Sequence, residues 1–343
     1  MAADPKTPGL KAAAGQLSLF SGDPLASVVG KEARLAVLPA EGGALGGVTL
    51  PAHVLGGTSS WSFPGWGGLV YQNEHTASEL AREGLAAYGA HGLFRAVGLD
   101  KTFYRPAPAA EFARLAGQVG EGFRFLVKAH RDCTNVYRRD PDDPRRTARN
   151  PRFLDANYAS EAVVRPAVQG LGSRLGVILF QFSPEVAFKD RGAARLRQRI
   201  EDFVIRLPAG VPYAFELRNR EVLSADYGAM LRAHGASHAY CVHPSMPSLP
   251  EQRAMLATPA SARPLVVRWM LGHGRGYEEA KQRYAPFDAL CDPAPEVRSQ
   301  IVDLLGSKGT DGAPASILIV NNKAEGCSPR SLAALANTFQ RGG

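Results

Sequence analysis

Gly176-Val177-Ile178-Leu179-Phe180-Gln181 is an apolar run closed by a single amide, and Tyr213-Ala214-Phe215-Glu216 repeats the form with a carboxylate at its end. Short runs of this kind, bounded by polar and turn residues, read as buried strands. A helical pattern fits between them, which is the signature of a βαβ unit. The same alternation extends in both directions, with further runs at Val54–Thr58, Ala96–Leu99, Phe123–Lys128, Ala239–His243, Leu265–Trp269 and Ile317–Asn321. Thr76 and Glu79 have the spacing of a capping box ahead of a helix over 77–90. Ser328-Pro329 reads as an N-cap followed by proline in the first helical turn. Eight such units in about 290 residues predict a TIM-type (β/α)8 barrel. An open doubly wound sheet is the alternative, but no GxGxxG follows the first run, which weakens a dinucleotide-binding fold.

The composition agrees with a globular chain. Of 343 residues, 45% are hydrophobic and 21% charged, which excludes disorder throughout as well as collagen-like and coiled-coil repeats. No apolar run approaches the roughly 18 residues that span a bilayer. The opening MAADPKTPGL lacks the apolar core of a signal peptide, so a cytoplasmic location is expected. Cys133, Cys241, Cys291 and Cys327 are scattered, with no CxxC pair, and read as thiols in a reducing compartment.

The net charge of +8 is unevenly placed. Residues 1–50 balance Lys6, Lys11, Lys31 and Arg34 against Asp4, Asp23, Glu32 and Glu41, so the surplus belongs to 51–343 and favours anionic partners there. Residues 1–50, rich in Ala, Gly and Pro, are expected to form a flexible tail, because they bury too little apolar surface to offset chain entropy. Within the tail stands Gln16-Leu17-Ser18-Leu19-Phe20. It resembles the pentapeptide with which bacterial polymerases and repair proteins bind the replication sliding clamp. Leu19 and Phe20 suit an apolar pocket and the Gln16 amide suits its rim. The competing reading is a short turn folded onto its own domain.

In a barrel, the working face lies where the strands end. Polar residues collect there: Ser59, Ser60 and Trp61; Asp100 and Tyr104; Lys128 and His130; Gln181; Glu216 and Arg218; His243; Arg268; and Asn321, Asn322 and Lys323. Any one of them can be a strand-end residue bonded to a loop. Together they make a polar, net-basic mouth that packing does not require.

Several motifs in order resemble the domain of unknown function 72 family, also called YecE-like. They are Gly57-Thr58-Ser59-Ser60-Trp61-Ser62-Phe63 with Trp66, Thr102-Phe103-Tyr104-Arg105-Pro106, LGVILFQFSPE at 175–185, AFELRNR at 214–220 and VNNKAEGCSP at 320–329. The resemblance covers 54–340 and implies a barrel, without implying a reaction. This chain also departs from the family pattern. Val97-Gly98-Leu99-Asp100 stands for V-E-I-N, Thr134-Asn135 for Thr-His, and Arg268-Trp269-Met270-Leu271-Gly272 for R-L-H-G, with His273 displaced. A carboxylate and an imidazole of the family pattern are therefore altered here.

Glu216 and Arg218 are two apart and share a face. Glu216 can serve as general base and Arg218 as anion holder, or the two can form a buried ion pair that fixes the strand. Lys128 and His130 share a face in the same way. A desolvated Lys128 suits a nucleophile or phosphate ligand, and as a structural residue it would partner Glu216. Trp61, Asp100, Tyr104, His130, Arg268, Asn321 and Asn322 complete the candidate binding set. Asn321-Asn322 offers amides for a base, sugar or carboxylate, or closes a turn. The 131–152 stretch sets seven arginines against four aspartates and, with Tyr137, suits a nucleic-acid backbone or a solvated loop. No spacing singles out a metal site, and the cofactor is not identified.

Three readings follow. One is an enzyme for an anionic or phosphate-bearing substrate, with DNA among the candidates, of a hydrolase or phosphodiester-processing type. The second is a non-catalytic module for nucleic acid or a metabolite. The third is a small-molecule enzyme with an incidental tail. The first expects Glu216, Arg218, Lys128 and Asn321 at one end of the barrel.

Overall fold

A computed structural model describes residues 36–41, 45–139, 147–182, 192–259, 264–272, 274–306 and 314–341. Its strands are β1 (Val54–Thr58), β2 (Ala96–Leu99), β3 (Arg124–Lys128), β4 (Tyr137–Arg139), β5 (Thr147–Arg149), β6 (Leu175–Gln181), β7 (Tyr213–Glu216), β8 (Ala236–Val242), β9 (Val266–Trp269) and β10 (Ser316–Val320). Eight of them close in the order β1-β10-β9-β8-β7-β6-β3-β2, every pairing parallel. The chain is thus a (β/α)8 barrel, and all eight runs expected as strands lie in its wall, with ends moved by at most a few residues. β4 and β5 form a separate antiparallel hairpin after β3.

The helices are α1 (Ala77–Ala90), α2 (Ala109–Ala116), α3 (Ala156–Ala159), α4 (Arg165–Leu171), α5 (Ala193–Ile205), α6 (Ala225–Ala233), α7 (Leu249–Met255), α8 (Tyr277–Tyr284), α9 (Pro295–Gly306) and α10 (Ser328–Arg341). A π-helical stretch, Ser160–Val164, joins α3 to α4. Thr76 and Glu79 exchange the hydrogen bonds of a capping box, and α1 then buries Leu80, Leu85 and Tyr88. The Tyr88 hydroxyl accepts from the Thr58 amide at 2.9 Å, tying α1 to the end of β1.

Two apolar layers result. Alternate strand residues, among them Ala96, Leu126, Leu179, Ala214, Ala239 and Ile319, fill the barrel interior. The opposite faces pack against the helices in a larger core. Gly57 is required by the closure: a Cβ there would sit 1.8 Å from the Ala96 carbonyl oxygen.

Part of the segment read as tail is packed. The compact unit begins at Val37, Leu45 and Leu50 are buried, and Pro39 bridges Tyr71. An apolar side chain every few residues was sufficient once a barrel surface was available to receive it. The clamp-like Gln16–Phe20 lies outside the described residues. Among the described residues, no helix is long and apolar enough to cross a membrane, and all four cysteines are free.

Candidate functional site

One step beyond the apolar interior, the alternation turns polar on every strand. Two residues past Gly57, Gly98, Leu126, Leu179, Ala214, Ala239, Val266 and Ile319 stand Ser59, Asp100, Lys128, Gln181, Glu216, Cys241, Arg268 and Asn321. Because side chains alternate across a strand, these eight share the inner face and form a layer at the C-terminal end. Glu216, Arg218, Lys128 and Asn321 are therefore at the same end of the barrel.

Glu216 is fully buried at the centre of this layer. It accepts from Arg218 Nε at 2.9 Å through one oxygen and from Arg268 Nη1 through the other. Burial alone would raise its pKa. The guanidiniums of Arg268 and Arg218 outweigh that and hold the carboxyl at about 2. Near neutrality the carboxyl is ionised, and it stands in ion pairs with both guanidiniums. The layer is knit further by Arg268 Nη1 donating to Gln181 Oε1 at 3.0 Å, and by Asp100 Oδ1 lying 3.5 Å from Arg268 Nη2. Arg268 Nε and Nη2 are buried without a hydrogen-bond partner among the described residues.

Lys128 does not partner Glu216, whose two oxygens are already taken. Its Nζ stands 4.0 Å above the Phe103 ring. The preceding residue, Thr102, ties this turn to the ends of β2 and β3, its hydroxyl lying 2.6 Å from the carbonyl oxygens of Leu99 and Lys128. Desolvation, with Arg268 and Arg218 nearby and only partly offset by Asp100 and Glu216, lowers the Lys128 pKa to about 8. His130 is next on the same face. Its Nδ1 is 2.8 Å from the Tyr158 hydroxyl and 4.0 Å from Asp132 Oδ2, and burial lowers its pKa against the pull of the Asp132 carboxylate. Tyr104, two-thirds exposed, stands at the rim.

Two candidates turn out to be structural. Trp61 is buried and donates from Nε1 to the Leu80 carbonyl at 2.8 Å, which pins the first loop to α1. Asn322 is also buried, and its Oδ1 accepts from the Ser328 amide and hydroxyl at 2.8 and 2.7 Å, capping α10. Asn322 sits off the inner register, one residue past Asn321, and Trp61 lies beyond the end of β1, in the loop that turns back to α1. Asn321 does reach the layer: it donates to Ser59 Oγ at 3.1 Å while its Oδ1 accepts from the Lys323 amide.

The arginine-rich stretch after β3 is a hairpin, not a plain loop. It pairs Tyr137 with Arg149 and Arg138 with Ala148. Tyr137 is about half exposed. Arg145, Arg146 and the displaced His273 lie outside the described residues. Phe103, Cys241 and Tyr158 were missed by sequence reasoning. Register identifies Cys241, at two residues past Ala239, but nothing local marks Phe103 or Tyr158. Among the described residues, no group of three or more His, Cys, Asp or Glu is placed to hold a metal.

An apolar hollow of about 850 Å3 opens at the other end of the barrel, lined by Leu55, Val177, Tyr213, Val266 and Ile317. We place the functional site at the C-terminal end because the buried ionisable groups and the loops gather there, whereas the hollow is ringed mainly by apolar residues at the strand starts.

A closed parallel barrel with a buried, charged layer at the C-terminal ends of its strands defines a (β/α)8 protein. The chain belongs to the family described as protein of unknown function DUF72, whose model matches residues 55–342. It is similar to the crystal structure of a DUF72 family protein from Thermotoga maritima, with 20% identity and a TM-score of 0.53 over 84% of this chain and 98% of that one. It is also similar to one from Enterococcus faecalis, with 16% identity and a TM-score of 0.52 over 86% and 95%. At these identities the likeness concerns the fold alone. No curated protein matches the chain.

Proposed function

We propose that the C-terminal mouth takes an anionic substrate bearing a phosphate or carboxylate, and acts on it through Lys128. The carrying observation is the charge of the layer. Arg218, Arg268 and Lys128 are set against Glu216 and Asp100, which leaves one positive charge in excess, and Arg268 Nε has no hydrogen-bond partner among the described residues while its Nη2 meets only Asp100 Oδ1, at 3.5 Å. Buried donors left unpaired are costly, and a bound anion relieves that cost. Inorganic phosphate should therefore bind, as measured by titration calorimetry. Arg218→Ala should weaken it about tenfold to a hundredfold, the worth of one charge-assisted bond. A chain that takes up no phosphate at low salt would remove the reading.

A second reading, nucleic acid as the anion, is favoured by the β4–β5 hairpin, which carries Arg138 and the half-exposed Tyr137 in the connection that leaves the C-terminal end of β3. Replacing Arg138, Arg139, Arg145 and Arg146 with Ala should weaken oligonucleotide binding for all sequences alike and flatten its dependence on salt, because each lost phosphate contact releases fewer counterions. Fluorescence anisotropy across a salt series measures both.

The tail supplies a separate proposal, docking on a bacterial sliding clamp through Gln16, Leu17, Ser18, Leu19 and Phe20. A synthetic peptide of residues 12–24 should bind a clamp at micromolar Kd, about −8 kcal/mol. Leu19→Ala with Phe20→Ala should cost about 2 kcal/mol or more. The support is the pentapeptide itself, and a peptide silent at high micromolar clamp would end the idea.

A further inference from the structure

The carboxylates nearest Lys128 are committed elsewhere. Glu216 serves Arg218 and Arg268, and Asp100 faces Arg268 at 3.5 Å. The groups facing the amine are the Phe103 ring, these two acids and the two guanidiniums, with His130 and its Tyr158 partner toward the rim. An amine only 8% exposed, against an aromatic wall and short of a counter-ion, is held in a setting that favours its neutral, nucleophilic form. Beside it, Arg268 Nε is buried with no hydrogen-bond partner among the described residues, and Nη2 has only the 3.5 Å contact with Asp100.

Extending the anion-binding reading above, we propose that Lys128 forms a Schiff base with an aldehyde or ketone that also carries a phosphate or carboxylate, the anion being held by Arg218 and Arg268. The Nζ lone pair attacks the carbonyl carbon, and the carbonyl oxygen takes up a proton to give a carbinolamine. The C–O bond then breaks and the oxygen leaves as water. Both hydrogens of that water balance the two lost from Nζ, and the C=N bond replaces the C=O bond. Asp100, whose charge acts on Lys128 directly, and His130, hydrogen-bonded to Tyr158 toward the rim, are the groups that can exchange the protons that move. Two sources offer this chemistry: a small phosphorylated aldehyde, or the ring-opened sugar of a base-less nucleotide in DNA.

Cyanoborohydride reduces such an imine to a stable secondary amine, so the test is trapping on the full chain. One arm uses glyceraldehyde 3-phosphate and the other an oligonucleotide with one base-less site, each followed by peptide mass spectrometry. The expected result is an adduct on Lys128 at least tenfold above that on Lys281, suppressed by inorganic phosphate and absent in Lys128→Met and Lys128→Arg. Trapping should rise with pH and level off above about 8, whereas an ordinary lysine keeps gaining to roughly 10.4. An adduct in either arm supports the proposal and names the source. Labelling spread evenly over the lysines overturns it. So do two blank arms with phosphate binding intact in calorimetry, a result that leaves the anion reading standing. Blank arms with no phosphate binding overturn both.

Discussion

Glu216→Ala should destabilise the barrel by about 3–5 kcal/mol in urea unfolding, among the largest losses expected of any single substitution here. The carboxylate is fully buried and balances two guanidiniums, of which Arg268 is itself fully buried. Removing it leaves Arg268 charged and desolvated, with the neutral Gln181 amide at 3.0 Å and, as its one remaining counter-charge among the described residues, Asp100 at 3.5 Å. The cost is that of the stranded partner, not the net worth of the pair. Glu216→Leu combined with Arg268→Met should therefore recover much of the loss, since an apolar pair of similar volume avoids both desolvation penalties. The pH dependence has a defined sign. With its pKa held at about 2 in the folded chain against 4.5 for the free side chain, Glu216 binds fewer protons folded than unfolded between those values. Its contribution is complete above pH 4.5 and is lost as the pH falls toward 2. A single mutant that loses less than 1 kcal/mol would mean that water reaches Arg268 and that the layer is not buried as described.

Glu325→Ala should cost a similar 3–5 kcal/mol for a different reason, and it should leave phosphate binding by the folded chain unchanged. Glu325 is buried in the connection after β10. Its Oε1 accepts from the Ala294 amide at 2.6 Å and from Arg298 Nη2 at 2.5 Å, and its Oε2 accepts from Arg298 Nε at 3.3 Å. Its backbone carbonyl accepts from the Cys291 and Asp292 amides. The residue thus clasps the start of α9 to the loop that leads into α10. Truncation strands a mostly buried guanidinium and an unpaired amide. Equilibrium unfolding measures the first effect and calorimetry at low temperature the second. Phosphate affinity that fell together with stability would show that this clasp also shapes the mouth.

These two carboxylates show where sequence reading stops. Both stand in motifs, AFELRNR and VNNKAEGCSP, that look equally like chemistry on paper. Their different tasks follow from which cation each one meets across the barrel. Arg268 lies fifty-two positions beyond Glu216, and Arg298 lies twenty-seven before Glu325. The Trp of GTSSW and the second Asn of VNN likewise read as ligand-binding residues. In the fold Trp61 reaches Leu80 and Asn322 reaches Ser328. Lys128, expected to meet Glu216 if structural, instead places its amine over the Phe103 ring, while Arg218 and Arg268 bond the carboxylate.

Apolar periodicity, capping residues and strand-end polarity are local, and they were enough to establish the (β/α)8 barrel, seven members of the polar layer and the end of the barrel at which they gather. Each depends only on the two-residue repeat of a strand or the first turn of a helix. The ionisation of Glu216 and Lys128, the division of motif residues between mouth and scaffold, and the pairing of His130 with Tyr158 were decided by the tertiary structure alone. Those properties are set by burial and by charges brought together from distant strands, and a Coulomb or desolvation energy depends on distance in space rather than on separation along the chain.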